Sequence, residues 1–326
     1  MPHSQRNRNK IHRKKKQLEK RYKAIRRLAA KHAKKQNIVP WVITLPNVAL
    51  GDLRRRFSPR NTGYKGLHPA LKRMESQGKF TRYPIDKTRP LEVYGSDGGL
   101  LLVRSTLMDV SAIADLGNAV NRLPPAKNYR FHGIIRSESE TVHLGTWAPY
   151  SPKCMVTREL RDAGEAGLEF LDSQKPVFDE MSRLLGQYAP GVFKKLQLYP
   201  LNEPTKRFAG AWAACAINNG GNHPKRTEAH RDVKDSQYGY SCVVAGGDFE
   251  GGAMVLYELC MIVEMGPGDM LLFPDALITH RNEAAVGHRV SMVAFTQENV
   301  YDYWHREYNM KLPRQEAKKR QNGNKK

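Results

Sequence analysis

His230-Arg231-Asp232, answered by His280 forty-eight residues after Asp232, is the pattern that most restricts how this chain can fold. On an extended strand, residues i and i+2 point to one face, so His230 and Asp232 can grip a single ion. His280 joins them only if the chain doubles back. Gly and Pro cut the surrounding sequence into short apolar runs: Tyr238–Ala245, Ala253–Leu256, Met270–Phe273 and Val290–Phe295. About four short strands fit between the two ends of the pattern. A double-stranded β-helix, or jelly roll, returns such a distant strand to lie beside the first. Gly246-Gly247 and Gly251-Gly252 are expected to flank a tight connection, and Pro267-Gly268-Asp269 to turn into Met270–Phe273.

Upstream, helical spacing prevails. Apolar residues at 110, 113, 116 and 120 predict a helix over Met108–Leu123, stopped by Pro124-Pro125. Further helices are expected over Thr157–Leu171 and from about Val177 to Leu196. The second has Phe178, Met181, Leu184, Leu185 and Tyr188 on one side and is interrupted at Pro190-Gly191. Residues 41–105 read as irregular with some short strands, Leu100–Arg104 among them, and His132–Ile135, Thr141–Trp147 and Phe208–Asn218 also read as strands. The fold class is therefore α+β, a jelly-roll core buttressed by helices. One domain is expected over 40–310, its core at about 208–300. Cys154, Cys215, Cys242 and Cys260 show no C-x-x-C pair, which predicts free thiols in a reducing compartment.

The net charge of +22 sits at the ends of the chain. Residues 1–36 hold fifteen Lys/Arg against one Glu, and residues 311–326 hold seven against one, leaving only +2 for the 274 residues between. Residues 1–39 read as a basic arm, helical along the stripe Leu18, Tyr22, Ile25 and Ala29 or else disordered without a partner. Residues 311–326 form a basic tail. Such arms favour a polyanion. No apolar run approaches the roughly 20 residues of a membrane span, and no apolar segment follows the N-terminal charges as in a secretory signal. Nucleic acid is the expected partner, with a nuclear location, no membrane, and a monomer.

Two imidazoles and one carboxylate with open positions match the facial triad of non-haem Fe(II) oxygenases. His288, in the expected turn Val286-Gly287-His288, and His223, beside Pro224, are the rival imidazoles and read as surface residues. Arg289 and Ser291 stand two apart on the last strand, a guanidinium and a hydroxyl suited to a carboxylate. In oxygenases of this kind that carboxylate is the far end of 2-oxoglutarate. His230-Arg231-Asp232 with Asp248-Phe249 also mimics protein-kinase elements. Gln237 and Glu250 stand where a kinase needs Asn and Gly, and no Gly-rich loop precedes them.

The segments 230–235, 247–252 leading into Met254-Val255-Leu256, 265–270, 277–280 and 289–296 resemble the Fe(II)/2-oxoglutarate-dependent dioxygenases. More narrowly they are similar to the TET/JBP branch and its fungal, transposon-associated members. The resemblance implies that Fe(II), 2-oxoglutarate and O₂ oxidise the methyl group of 5-methylcytosine, flipped out of duplex DNA. It places Asp235 against the cytosine amino group and Phe295 in a stack on the base. It puts Gln297 where some relatives carry His, which leaves thymine and methyladenine open. Lys225 or Arg226 would meet the near carboxylate of 2-oxoglutarate. Two rivals are a protein hydroxylase of the same fold and a non-catalytic nucleic-acid-binding protein.

Overall fold

A computed structural model describes residues 39–58, 69–106, 116–117, 119–121, 123, 140–150, 152–199, 207–220 and 226–308. The basic arm, most of the expected helix over Met108–Leu123, the His132–Ile135 strand, His223, Lys225 and the basic tail lie outside them. Two sheets face each other. The larger contains β1 (Trp41–Leu45), β3 (Leu91–Gly95), β4 (Leu100–Thr106), β5 (Glu140–Trp147), β6 (Met155–Val156), β7 (Ala214–Asn219), β8 (Ser241–Gly251), β11 (Asp269–Phe273) and β13 (Ala285–Phe295). Its spatial order is β1-β3-β4-β11-β8-β13-β7-β5-β6. The smaller runs β12 (His280–Asn282), β9 (Met254–Leu256), β10 (Met261–Val263) and β2 (Thr81–Tyr83).

Alternation along the strands separates two cores. Cys242, Val244, Met270, Leu272, Val290, Met292 and Ala294 point outward and bury against helices. Those helices are α5 (Lys175–Tyr188), α6 (Pro190–Leu198) and α7 (Glu298–Tyr308), through Phe178, Met181, Leu185, Phe193 and Trp304. Val243, Ala245, Leu271 and Phe273 point inward to meet Met254, Leu256, Met261 and Val263 of the small sheet. The odd-numbered residues of β13, Arg289, Ser291, Val293 and Phe295, share that inward face by the two-residue period. The fold is thus the expected α+β jelly roll, its large sheet backed by α5, α6 and α7.

Several local expectations change. The stretch 41–105 is ordered: β3 and β4 bury Leu91, Val93, Leu101 and Leu102. It also supplies α1 (Leu50–Arg56) and α2 (Pro69–Ser76). The single helix over Thr157–Leu171 is two, α3 (Arg158–Ala163) and α4 (Glu165–Ser173), broken at Gly164 with φ 56°. The Thr157 hydroxyl caps the first by accepting from Leu160 N–H. The reversal after β8 comes only at Gly251-Gly252, because Gly246-Gly247 and residues 286–288 pair within a continuous β8–β13 ladder. Gly247 makes that possible: its φ is 98°, and a Cβ there would meet the His288 carbonyl oxygen at 2.1 Å. Cys154, Cys215 and Cys242 are buried free thiols and Cys260 is half-buried; burial pushes Cys215 up to about 12, so it stays protonated.

Gly247→Ala should cost about 2–3 kcal/mol, combining left-handed strain with the carbonyl clash. Gly191→Ala, at an exposed helical position with open space around it, should stabilise by roughly 0.5–1 kcal/mol. Urea unfolding midpoints of the two variants should therefore move in opposite directions.

Candidate metal centre and its surroundings

The strand expected around His230 shrinks to one antiparallel bridge with His280. His230 N–H donates to the His280 carbonyl at 3.0 Å, and His280 N–H returns to the His230 carbonyl at 2.8 Å. Asp232 follows in a turn, where its own carbonyl accepts from Asp235 N–H at 2.8 Å. Turn geometry, rather than strand alternation, brings the carboxylate round. Ligating atoms of His230, Asp232 and His280 lie within 4.8 Å of one another. Asp232 Oδ2 is 3.9 Å from His230 Nε2 and 3.5 Å from His280 Nε2.

The imidazoles are oriented from behind. The carbonyls of Glu228 and Ile278 accept from Nδ1 of His230 and His280, at 2.6 and 2.9 Å. A proton held on Nδ1 leaves the Nε2 lone pair free for a cation. Both histidines are buried and Asp232 is half-buried. The donor set and its tautomers fit a divalent metal such as Fe(II). Supporting contacts flank His280: Glu258 accepts from Thr279 N–H and hydroxyl at 2.6 and 2.7 Å, and Thr227 hydroxyl donates to Asn282 Oδ1 at 2.8 Å. Phe273, from the inward face of β11, meets the His280 ring edge-on at 5.0 Å.

Arg289 is 8% exposed, and its Nε has no hydrogen-bond partner among the described residues. Burial alone pulls its guanidinium down to about 10. Gly252 leaves the side chain its space, since a Cβ there would come within 2.8 Å of Nε. A buried cation with an unmet donor fits an incoming carboxylate. Ser291 is buried, and its hydroxyl accepts from Asn218 Nδ2 at 3.5 Å. Arg226 instead lies at the surface, its side chain 63% exposed and 3.8 Å from Glu228. His288 is half-buried in β13, on the opposite face from Arg289, near Gly117. The even–odd alternation of the strand turns it away from the triad.

Asp235 and Gln297 form a second bridge, and both are buried. Gln297 Oε1 accepts from Ala148 N–H at 2.9 Å, which turns its NH₂ the other way. Phe295 is buried with its ring edge-on to His143 at 6.4 Å, and His143 lies 5.2 Å from Trp147. His143 Nδ1 is 3.2 Å from Glu159, whose carboxyl is held below its ordinary value despite burial by that contact. Asp275 was not legible in the sequence. Burial first, then the Asp232 charge, pushes its carboxyl up, and it hydrogen-bonds with Ser241 and Asp235. Only the proline before it hinted at a fixed position.

No protein-family model matches the chain, and no curated protein matches it. Solved structures do. One described as NgTET1 in complex with 5mC DNA covers 71% of this chain and 89% of its own, at 16% identity and a TM-score of 0.52. A prolyl-4-hydroxylase from Pseudomonas putida covers 60% and 91%, at 13% identity and a TM-score of 0.36. A 2OG-Fe(II) oxygenase-family oxidoreductase from Burkholderia pseudomallei covers 79% and 94%, at 12% and 0.35. The first likeness establishes a shared fold.

Glu258→Gln should weaken divalent-metal binding about 10-fold by loosening the segment that carries His280. His288→Ala should leave it unchanged. Competition against a fluorescent chelator measures both, and a loss in the His288 variant would contradict the assignment of ligands.

Proposed function

We propose that the protein is an Fe(II)/2-oxoglutarate-dependent dioxygenase that oxidises the methyl group of a modified DNA base. The base is 5-methylcytosine, taken to 5-hydroxymethylcytosine and onward. The observation that carries this reading is the coexistence of two features in one sandwich: a triad with both Nε2 atoms turned to Asp232, and a buried Arg289 whose Nε has no hydrogen-bond partner among the described residues. His230, Asp232 and His280 would hold Fe(II); Arg289 and Ser291 would receive the far carboxylate of 2-oxoglutarate. Iron so held would place one oxygen atom of O₂ into a C–H bond, with O₂ the oxidant and 2-oxoglutarate the co-reductant that takes up the other oxygen and leaves as succinate and CO₂. The chain itself binds, orients and excludes water.

For the base, Asp235 offers an acceptor to an exocyclic amino group. Gln297, its oxygen engaged by Ala148, offers NH₂ hydrogens to N3 or O2. An acceptor beside a donor suits the edge of cytosine, and Phe295 supplies a face for stacking. Chemistry on a buried site requires the base to leave the duplex. The DNA reading is further supported by the likeness to a protein described with 5mC DNA. Cationic ends on a nearly neutral body add sequence-independent phosphate affinity. The resemblance to fungal, transposon-associated TET/JBP members belongs with this reading, as do nuclear action and a monomeric enzyme.

Incubation with Fe(II), 2-oxoglutarate and DNA bearing defined methylated bases, followed by nucleoside mass spectrometry, tests it. Hydroxymethylcytosine should form with the wild type and vanish in His230→Ala. Product surviving that substitution, or turnover stimulated by peptides and not by DNA, would contradict it.

A further inference from the structure

Tyr150 is 80% exposed, so its ring contributes little to the folded core. The segment that carries it is nevertheless tied to the body by hydrogen bonds on either side. Tyr150 stands in the β5–β6 connection between Pro149 and Pro152. That connection is tied to the start of α7: Asn299 Nδ2 donates to the Ala148 carbonyl at 2.9 Å, and Gln297 holds Ala148 N–H. Arg306 donates to the Pro152 carbonyl. Lys234, two residues past the ligand Asp232, places its Nζ over the Tyr150 ring, 3.0 Å from the centroid. The same loop ends at Gln237-Tyr238, where Arg54 of α1 donates to the Gln237 carbonyl at 3.2 Å and lies over the Tyr238 ring. Three residues before Tyr150, Trp147 packs on His143, and His143 meets Phe295 of the candidate base pocket.

We infer that this rim is a nucleotide-strand platform, on which Tyr150 stacks an unpaired base next to the flipped one while Lys234 meets the adjoining phosphate. The inference rests on the DNA reading above. Exposed aromatics interleaved with cations suit single-stranded nucleic acid, since every base has a face to stack and every linkage a charge. A strand opened to release one base presents such neighbours at the mouth of the site. The platform also gives the nearly neutral body a contact of its own, separate from the cationic ends.

The test is fluorescence anisotropy of the full-length protein with a labelled single-stranded oligonucleotide, at salt high enough to suppress the arms. Tyr150→Ala should weaken binding roughly 10-fold and Tyr150→Phe should retain it. Lys234→Gln should lower the slope of log affinity against log salt by about one, measured across a salt series. Thermal unfolding of each variant checks the fold. Equal binding by Tyr150→Ala and wild type overturns the platform and leaves the DNA reading standing. A wild type that binds no oligonucleotide at any salt overturns both.

Discussion

The bridge between His230 and His280 is the contact on which the site depends. Two backbone hydrogen bonds close a loop of about fifty residues and set both imidazoles side by side, ring centroids 4.3 Å apart. Everything around the bridge keeps it shut. Thr227 and Asn282 exchange hydrogen bonds on one flank, and Glu258 grips Thr279 on the other. Arg281, next to His280, is held by Glu75 of α2 at 2.5 Å and by the Tyr257 hydroxyl. The small sheet therefore serves mainly to fix one histidine, while the helix-backed large sheet supplies the opposing wall.

The second constraint is electrostatic. Removing a guanidinium from water without a partner costs several kcal/mol, and such groups persist when something else meets them. Arg289 on β13, given room by Gly252, lies over the Phe249 ring and has no hydrogen-bond partner for its Nε among the described residues. Asp275 shows the same economy with opposite charge: buried beside Asp232, it keeps its proton more readily than a free carboxyl and engages Asp235 and Ser241. Arg289 and Asp275 are both buried ionisable groups of the inner region, while the outer core holds large apolar side chains such as Phe178, Met181 and Trp212.

Much of this was legible in the residues themselves. The short apolar runs near 241–295, the interrupted helix at Pro190 and the approach of His280 to His230 all follow from period and punctuation. What escaped depends on distant partners. β4 joins the large sheet by pairing Thr106 with Asp269, a register that no local pattern announces. Gly247 looked like a strand end, yet its freedom at positive φ let the ladder continue. Asp232 came round by a turn where alternation suggested a strand. The Gln297 orientation and the Lys234–Tyr150 pair are set by neighbours about 150 and 84 residues away in sequence.

The triad and Arg289 are proposed to form one binding unit for a metal and an oxo-acid. Calorimetric titration of 2-oxoglutarate into the full-length protein, with and without Mn(II) as a redox-silent stand-in for Fe(II), addresses it most directly. Tight binding is expected only with metal present, weakened roughly 10- to 100-fold in Arg289→Gln. Binding that is equal without metal, or indifferent to Arg289, would contradict it.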